Sequence, residues 1–591
     1  MVILMMVSIS LLVIRLGYLM LAKSEYYLNK AEALHERERS IKAKRGAIYD
    51  RNGVELAGNK AVCSVSVIHS QVKDPEQVIR AICSVLELDE KVVRKKVEAN
   101  TIREKIKSNV EKKTADILRD MNLDGVMIDE DYKRYYPYDT LASKVIGFTG
   151  SDNQGIVGLE VYYDELLQGE PGSILTLTDA HGKELKNEAE NRIAPVPGQN
   201  LYLSIDVNIQ KYAQQAAIKV LKSKRAKRVS VVLMNPQNGE IYAMVNVPEY
   251  DLNQPYQLVQ AVETDPELMQ ETHLNSMSEE EKSNALNAMW RNFCINDSYE
   301  PGSTFKTVTA TAALEEGVVS VNDTFSCPGF RIVEDRKIRC HKVAGHGIET
   351  FREGIMNSCN PVFMDVGARV GAVRMYENYR KLGLFERTGV DLPGEASSIM
   401  HKLENVQAVE LATMSFGQSV QITPLQLLRA ASAIVNGGKL VTPHFGMCAT
   451  DGEGNVLETF SYPEREHVIS EHTSAVMREL LEAVVAEGSG NKGQVPGYRV
   501  GGKTATSEKL PRGNKKYISS FMGFAPANQP CVIGLILIDE PEGVYYGGTI
   551  AAPVMAEIFS NVLPYLGIEA EYSEKELQET STVLFSEDFV E

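Results

Sequence analysis

Two apolar, β-branched runs, VSVVLM from Val229 and IYAMVNV from Ile241, flank Asn238-Gly239, a strong hairpin signal. Strand-like runs return at Tyr498–Lys503, Tyr517–Phe524 and Val532–Ile538, after a stretch from Thr304 to about Val435 dominated by helical periodicity. Strands at both ends with helices between them call for one sheet closed by the two ends of the segment and covered by helices, an α+β fold. The texture resets just upstream, at Pro195-Val196-Pro197-Gly198. From Asn200 the chain reads as a β-run, a helix N-cap at Asp206 and a long amphipathic helix.

A chain of 591 residues has room for several structural units. The sequence divides into an apolar anchor at 1–22, a mixed N-terminal domain at 23–195, the α+β domain at 196–565 and an acidic tail at 566–591. From Ser24 to about Ile41, Leu28, Ala31 and Leu34 fall at helical spacing and predict a stalk. Residues 45–57, RGAIYDRNGVELA, predict a hairpin turning at Asp50–Gly53; taken alone, the segment fits a plain surface hairpin. The pattern is helical and charged at 74–125, and rich in short strands and turns at 130–195. The acidic, helical stretch 251–292 reads as an insertion over the sheet.

Residues 1–22 are apolar except for Arg15, and a helix needs roughly 20 residues to cross the hydrocarbon. No basic segment precedes the run and no small-x-small site stands before Lys23, so it reads as an uncleaved anchor. The lysines and arginines that follow it would by themselves hold the body in the cytoplasm, but acidic residues are interspersed and long domains translocate regardless of flanking charge. A net charge of -17 argues against nucleic acid as a partner. The eight cysteines are spread along the chain with no CxxC pair and no Cys/His cluster, so no metal or other cofactor is expected and they read as small buried hydrophobes.

Chemistry concentrates at Pro301-Gly302-Ser303-Thr304-Phe305-Lys306, where a Pro-Gly turn opens a helix. Ser303 and Lys306, at i and i+3, share one face. A serine hydroxyl needs a base, and a partly desolvated lysine is one. Ser-x-x-Lys alone is weak evidence, and Ser70/Lys73 and Ser489/Lys492 also match, though neither follows a Pro-Gly turn into a helix. Order strengthens the case: Ser358-Cys359-Asn360 and Lys503-Thr504-Ala505-Thr506 follow downstream.

Three elements in this order resemble the penicillin-binding proteins and serine β-lactamases. Arg45-Gly46 through Asn52-Gly53 resembles the N-terminal signature of the class B, monofunctional members. Asn235-Pro236, Gly239-Glu240, Phe416-Gly417-Gln418 and Thr423-Pro424-Leu425-Gln426 resemble their transpeptidase domain. Cys340 and Cys359, with SYEPGSTFK, lean toward the division and sporulation branch. The resemblance covers about residues 10–565 and implies an elongated pedestal or dimerisation-type domain under a penicillin-binding transpeptidase domain. It further implies an extracytoplasmic catalytic domain on a single-pass membrane anchor, peptidoglycan stem peptides as substrates, β-lactams as covalent inhibitors, and a membrane glycosyltransferase with division or sporulation proteins as partners.

Residue by residue, the family implies Ser303 as nucleophile, Lys306 as base, Ser358 as proton relay to the leaving D-alanine, and Asn360 as a partner of Lys306 and substrate. Lys503 would supply positive charge, Thr504 and Thr506 would bind the substrate carboxylate, and the backbone N–H groups of Ser303 and Thr506 would form the oxyanion hole. Ala505 stands where the family normally has glycine, and its methyl either points away or narrows the cleft. Two other readings stay open: a carboxypeptidase or β-lactamase-type hydrolase, and a catalytically weak scaffold. Cys340 and Cys359 are in addition a candidate redox pair, since a bond to Cys359 would shift Ser358 and Asn360 on either side of it.

Overall fold

The computed structural model describes residues 2–24, 36–99, 103–177, 191–258 and 277–571. Its organising element is a five-stranded antiparallel sheet ordered Ile241–Val247, Arg228–Met234, Val532–Asp539, Tyr517–Ala525, Gly501–Glu508. Every residue from Val229 to Met234 is buried, because both faces of the sheet are covered. Side chains alternate across a strand. Val231 and Leu233 accordingly pack under the helices Val207–Lys224 and Ala552–Tyr565, while Val232 and Met234 face the large helical lobe. Gly501–Glu508 is an edge strand, and among the described residues no further strand pairs with its outward backbone groups. Asp206 caps the Val207–Lys224 helix by accepting from the N–H groups of Asn208 and Ile209, as expected from its position.

A second sheet joins distant parts of the chain. It runs Val456–Thr459, Gly446–Thr450, Asn200–Leu203, Ile48–Tyr49, Glu55–Val67, Glu104–Glu111, with Val126–Tyr135 also paired to Glu55–Val67. The predicted hairpin at 45–57 lies inside this junction rather than on the surface: Arg45 and Asp50 are each 1% exposed. The Arg45 guanidinium bonds Glu160 and Asp164 at 2.7 Å each. Asp50 accepts from the N–H groups of Asn52 and Val54 and, at 3.1 Å, from that of Val207 at the start of the long helix. Only glycine fits at position 46, since a Cβ there would stand 1.7 Å from the carbonyl oxygen of Gln199.

Several expectations change. The stalk is not helical where it is described: Glu36–Ile41 is a strand paired antiparallel with Gly172–Leu177, while residues 25–35, which carry the helical spacing of Leu28, Ala31 and Leu34, lie outside the described residues. Within 74–125, Glu104–Glu111 is a strand whose buried residues are Ile106 and Val110. A separation of four puts two side chains on one face of a strand as well as of a helix, so the spacing did not discriminate. The insertion keeps a helix at Glu279–Trp290, while 259–276 and the tail beyond 571 lie outside the described residues. Val2–Gly17 is an α-helix continued by a π-helical turn at Tyr18–Ala22, and among the described residues no helix is long and apolar enough to cross a membrane.

Candidate active site

Ser303 lies in a 3-10 turn, Gly302–Phe305, that runs directly into the buried helix Lys306–Glu315. With three residues per turn, this geometry stacks Ser303 over Lys306 more directly than an α-helix would. The turn is braced from behind: Gly302 adopts a left-handed φ of 57° and donates its N–H to the Gly417 carbonyl at 3.0 Å. A Cβ at Gly417 would come within 2.1 Å of the Gly302 oxygen. The Phe416-Gly417-Gln418 segment therefore supports the turn from close range.

The Lys306 amine is 1% exposed and donates to the Ser358 carbonyl at 2.7 Å, Asn360 Oδ1 at 2.7 Å and Ser358 Oγ at 3.2 Å. All three partners are neutral oxygens. Burial is the dominant influence and pushes this lysine down to about 8, with a smaller opposing pull from Cys359, Cys340 and Glu349. Ser358 holds a left-handed φ of 54°, directly before the helix Asn360–Val370, and turns both its carbonyl and its hydroxyl to Lys306. On the other side, Lys503 Nζ lies 3.0 Å from Ser358 Oγ and 3.1 Å from the Thr504 carbonyl. Burial and then the neighbouring Lys306 push Lys503 well below the ordinary lysine value. Ser358 Oγ thus bridges two desolvated amines, an arrangement through which a proton can pass.

Edge-strand residues complete the wall. Thr504 Oγ1 donates to Ser489 Oγ at 3.4 Å, and the Gly547 N–H donates to Thr506 Oγ1 at 3.0 Å. A cleft of about 690 Å³ is lined by Ser303, Ser358, Asn360, Gln418, Thr504 and Thr506, among others. Lys306 and Lys503 lie beneath its floor, both essentially buried. The Ala505 side chain is 3% exposed, and its methyl faces Gly302, where an added Cβ would sit 3.7 Å away.

Ser489 and Lys492, set aside as a chance match, line the same cleft together with His341, Lys342 and Tyr546. Lys492 is exposed, so it lacks the burial that sets Lys306 apart. No local sequence signal marks these wall residues, because they reach the cleft from separate loops. The fold also overturns the reading of the cysteines as unclustered. Cys327, Cys340, His346 and Cys359 bring one ligand atom each to within 4.8 Å of one another, and all eight cysteines are unbridged.

The family description "Penicillin binding protein transpeptidase domain" matches residues 229–560, more than half of the chain. The chain belongs to the penicillin-binding protein transpeptidase family. The penicillin-binding protein dimerisation domain matches residues 40–203, the arrangement of class B members. The chain is 38% identical over 564 residues to stage V sporulation protein D of Bacillus subtilis, covering 94% of this chain and 83% of that one. It is 30% identical over 542 residues to a probable peptidoglycan D,D-transpeptidase, PenA, of Neisseria meningitidis, covering 90% and 86%. These relatives set it in the division and sporulation branch. Penicillin-binding protein 2X from Streptococcus thermophilus shares the fold, with a TM-score of 0.72 at 21% identity over 91% of this chain and 83% of that one.

Proposed function

We propose that the chain cross-links peptidoglycan stem peptides through an acyl-enzyme on Ser303 and is inhibited by β-lactams that acylate the same oxygen. The observation that carries this reading is the Lys306 amine, depressed to about 8 among neutral oxygens beside the Ser303 turn. Ser303 Oγ attacks the carbonyl of the penultimate D-alanine while Lys306 takes its proton. The tetrahedral oxyanion is held by the backbone N–H groups of Ser303 and Thr506. The proton then moves through Ser358, in contact with both lysines, to the departing D-alanine amine. Asn360 holds Lys306 on line, Lys503 offers charge to the substrate carboxylate, and Thr504 and Thr506 hydroxyls bind it. An amine from a neighbouring stem peptide resolves the ester.

The reading extends to the whole chain. Residues 23–195 serve as pedestal and 196–565 as catalytic domain. The first 22 residues anchor the protein in the cell membrane with the body outside. Supporting the anchor, Ile3 and Leu12 are 80% and 67% exposed on an apolar helix that only lipid would cover. A membrane glycosyltransferase and division or sporulation proteins are the expected partners.

Ser303→Ala should abolish covalent labelling by fluorescent penicillin while circular dichroism is unchanged. The wild-type chain given a stem pentapeptide and an amine acceptor should yield the amide more than the acid. An adduct found by mass spectrometry on Ser70 or Ser489 would refute the assignment, and hydrolysis alone would make the enzyme a carboxypeptidase.

A further inference from the structure

Beside the active site, the chain from Thr324 to Thr350 folds into two small antiparallel pairs: Thr324–Cys327 with Gly347–Thr350, and Phe330–Val333 with Arg336–Arg339. Cys327 ends the first strand, Cys340 follows the inner hairpin, and His346 precedes the returning strand. Cys359 arrives separately, as the N-cap of the Asn360–Val370 helix. Backbone bonds hold the three hairpin residues in place: Cys340 N–H donates to the Gly329 carbonyl at 2.8 Å, and His346 N–H to the Cys327 carbonyl at 3.1 Å. Gly329 and Gly345 both take left-handed φ values. A Cβ on either would stand 2.1 Å from the Val343 oxygen or 2.3 Å from the Cys327 oxygen, so the loops close tightly around the cluster.

We propose that Cys327, Cys340, His346 and Cys359 form a Zn²⁺ site that fastens the 324–350 hairpins to the Ser358-Cys359-Asn360 segment of the active site. The donor set is three thiols and one imidazole, which favours zinc over oxygen-seeking cations. The geometry suits a tetrahedron. With metal bonds of about 2.3 Å to sulfur and about 2.0 Å to nitrogen, ligand atoms stand roughly 3.6 Å apart. Cys340 Sγ is 3.7 Å from His346 Nδ1, and the widest separation in the cluster is within 4.8 Å. Cys327, Cys340 and Cys359 are at most 3% exposed, and the His346 side chain is 7% exposed. A second observation points to the same spot. Glu349, 4% exposed, directs Oε1 to within 3.7 Å of His346 Nδ1, and that oxygen is buried without a hydrogen-bond partner. Lone pairs from sulfur, nitrogen and carboxylate oxygen converge there, and a divalent cation would satisfy them. Binding releases three thiol protons and leaves Zn(S⁻)₃N with a net charge of -1.

The consequence for catalysis rests on the proposed role of Ser303 and Lys306. Cys359 lies between Ser358 and Asn360, the two residues that hold the Lys306 amine. Arg339, next to Cys340, accepts from Asn360 Nδ2 at 3.1 Å. The metal would therefore fix both partners of Lys306 from outside the cleft, which makes the four ligands positioning residues. His341 and Lys342, on the loop between Cys340 and His346, line the cleft itself.

The detergent-solubilised full chain, purified without chelator, should contain one zinc per chain by plasma mass spectrometry. Exchange with Co²⁺ should give sulfur-to-cobalt charge-transfer bands and the intense visible absorption of a tetrahedral site. Cys327→Ser, the ligand change farthest in sequence from Ser358, should lose most of the zinc and slow penicillin acylation roughly tenfold or more, with the loss in the acylation step rather than in binding. If that variant does not fold, His346→Cys keeps four ligands and should retain zinc. A reduced, folded wild-type chain that neither contains nor takes up Zn²⁺ would overturn the proposal. So would a Cys340–Cys359 disulfide as the native state in non-reduced peptide maps, or another metal bound stoichiometrically. Metal content is read independently of acylation, so a zinc-free but penicillin-reactive chain would leave the Ser303 mechanism standing.

Discussion

Replacing Asn360 by aspartate tests whether the environment of Lys306 sets the rate. In the wild type, burial holds this amine at about 8 instead of the ordinary 10.5. At pH 7 about 10% of it is then the free base, against about 0.03% for an ordinary lysine, a gain of a few hundredfold or about 3 kcal/mol. The free amine accumulates as pH rises. Acylation by a subsaturating penicillin should therefore climb about tenfold per unit below pH 7 and level off above about 8. Asn360→Asp puts a carboxylate where the amide oxygen now accepts from Lys306 at 2.7 Å. An opposite charge so near favours the ammonium by roughly 1–3 units. The midpoint should move to higher pH and the rate at pH 7 should fall at least tenfold, with much of it recovered at about pH 9. Stopped-flow fluorescence with a labelled penicillin, read across this range, gives both profiles. A wild-type rate flat in pH, or a variant whose midpoint stays at the wild-type value, would refute Lys306 as the base.

Ala505→Gly should leave the ratio of acylation rates for bulky and small β-lactams unchanged, because Ala505, although it borders the cleft, is only 3% exposed and its methyl stands beside Gly302. A selective gain for the bulky compounds would show that it narrows the cleft. Gly46→Ala should cost roughly 3 kcal/mol or more, or prevent folding, since its Cβ would meet the Gln199 oxygen at 1.7 Å. An unchanged melting temperature would mean that the junction between the sheets yields readily.

The sequence by itself determined the α+β class, the five strands of the central sheet, and the candidates Ser303, Lys306, Ser358, Asn360 and Lys503, but not the four short strands between Thr324 and Thr350 in the stretch that read as helical. These are local matters: strand and helix periods, turn chemistry and motif order are written in contiguous residues. Tertiary structure decided what depends on residues far apart in the chain. The depressed Lys306 is one case, because desolvation is contributed by everything packed around the amine. The segment at 45–57 is another: its turn was legible, but its burial comes from Glu160, Asp164 and Val207. Glu36–Ile41 became a strand because Gly172–Leu177 pairs with it, a partner no local window contains. Ala505 could be read as a departure, but only packing against Gly302 says where its methyl goes. Cys327, Cys340, His346 and Cys359 have no metal-binding spacing in sequence. They meet because two short hairpins fold back onto the N-terminus of the Asn360–Val370 helix, and only the fold brings donors so far apart along the chain within one coordination radius.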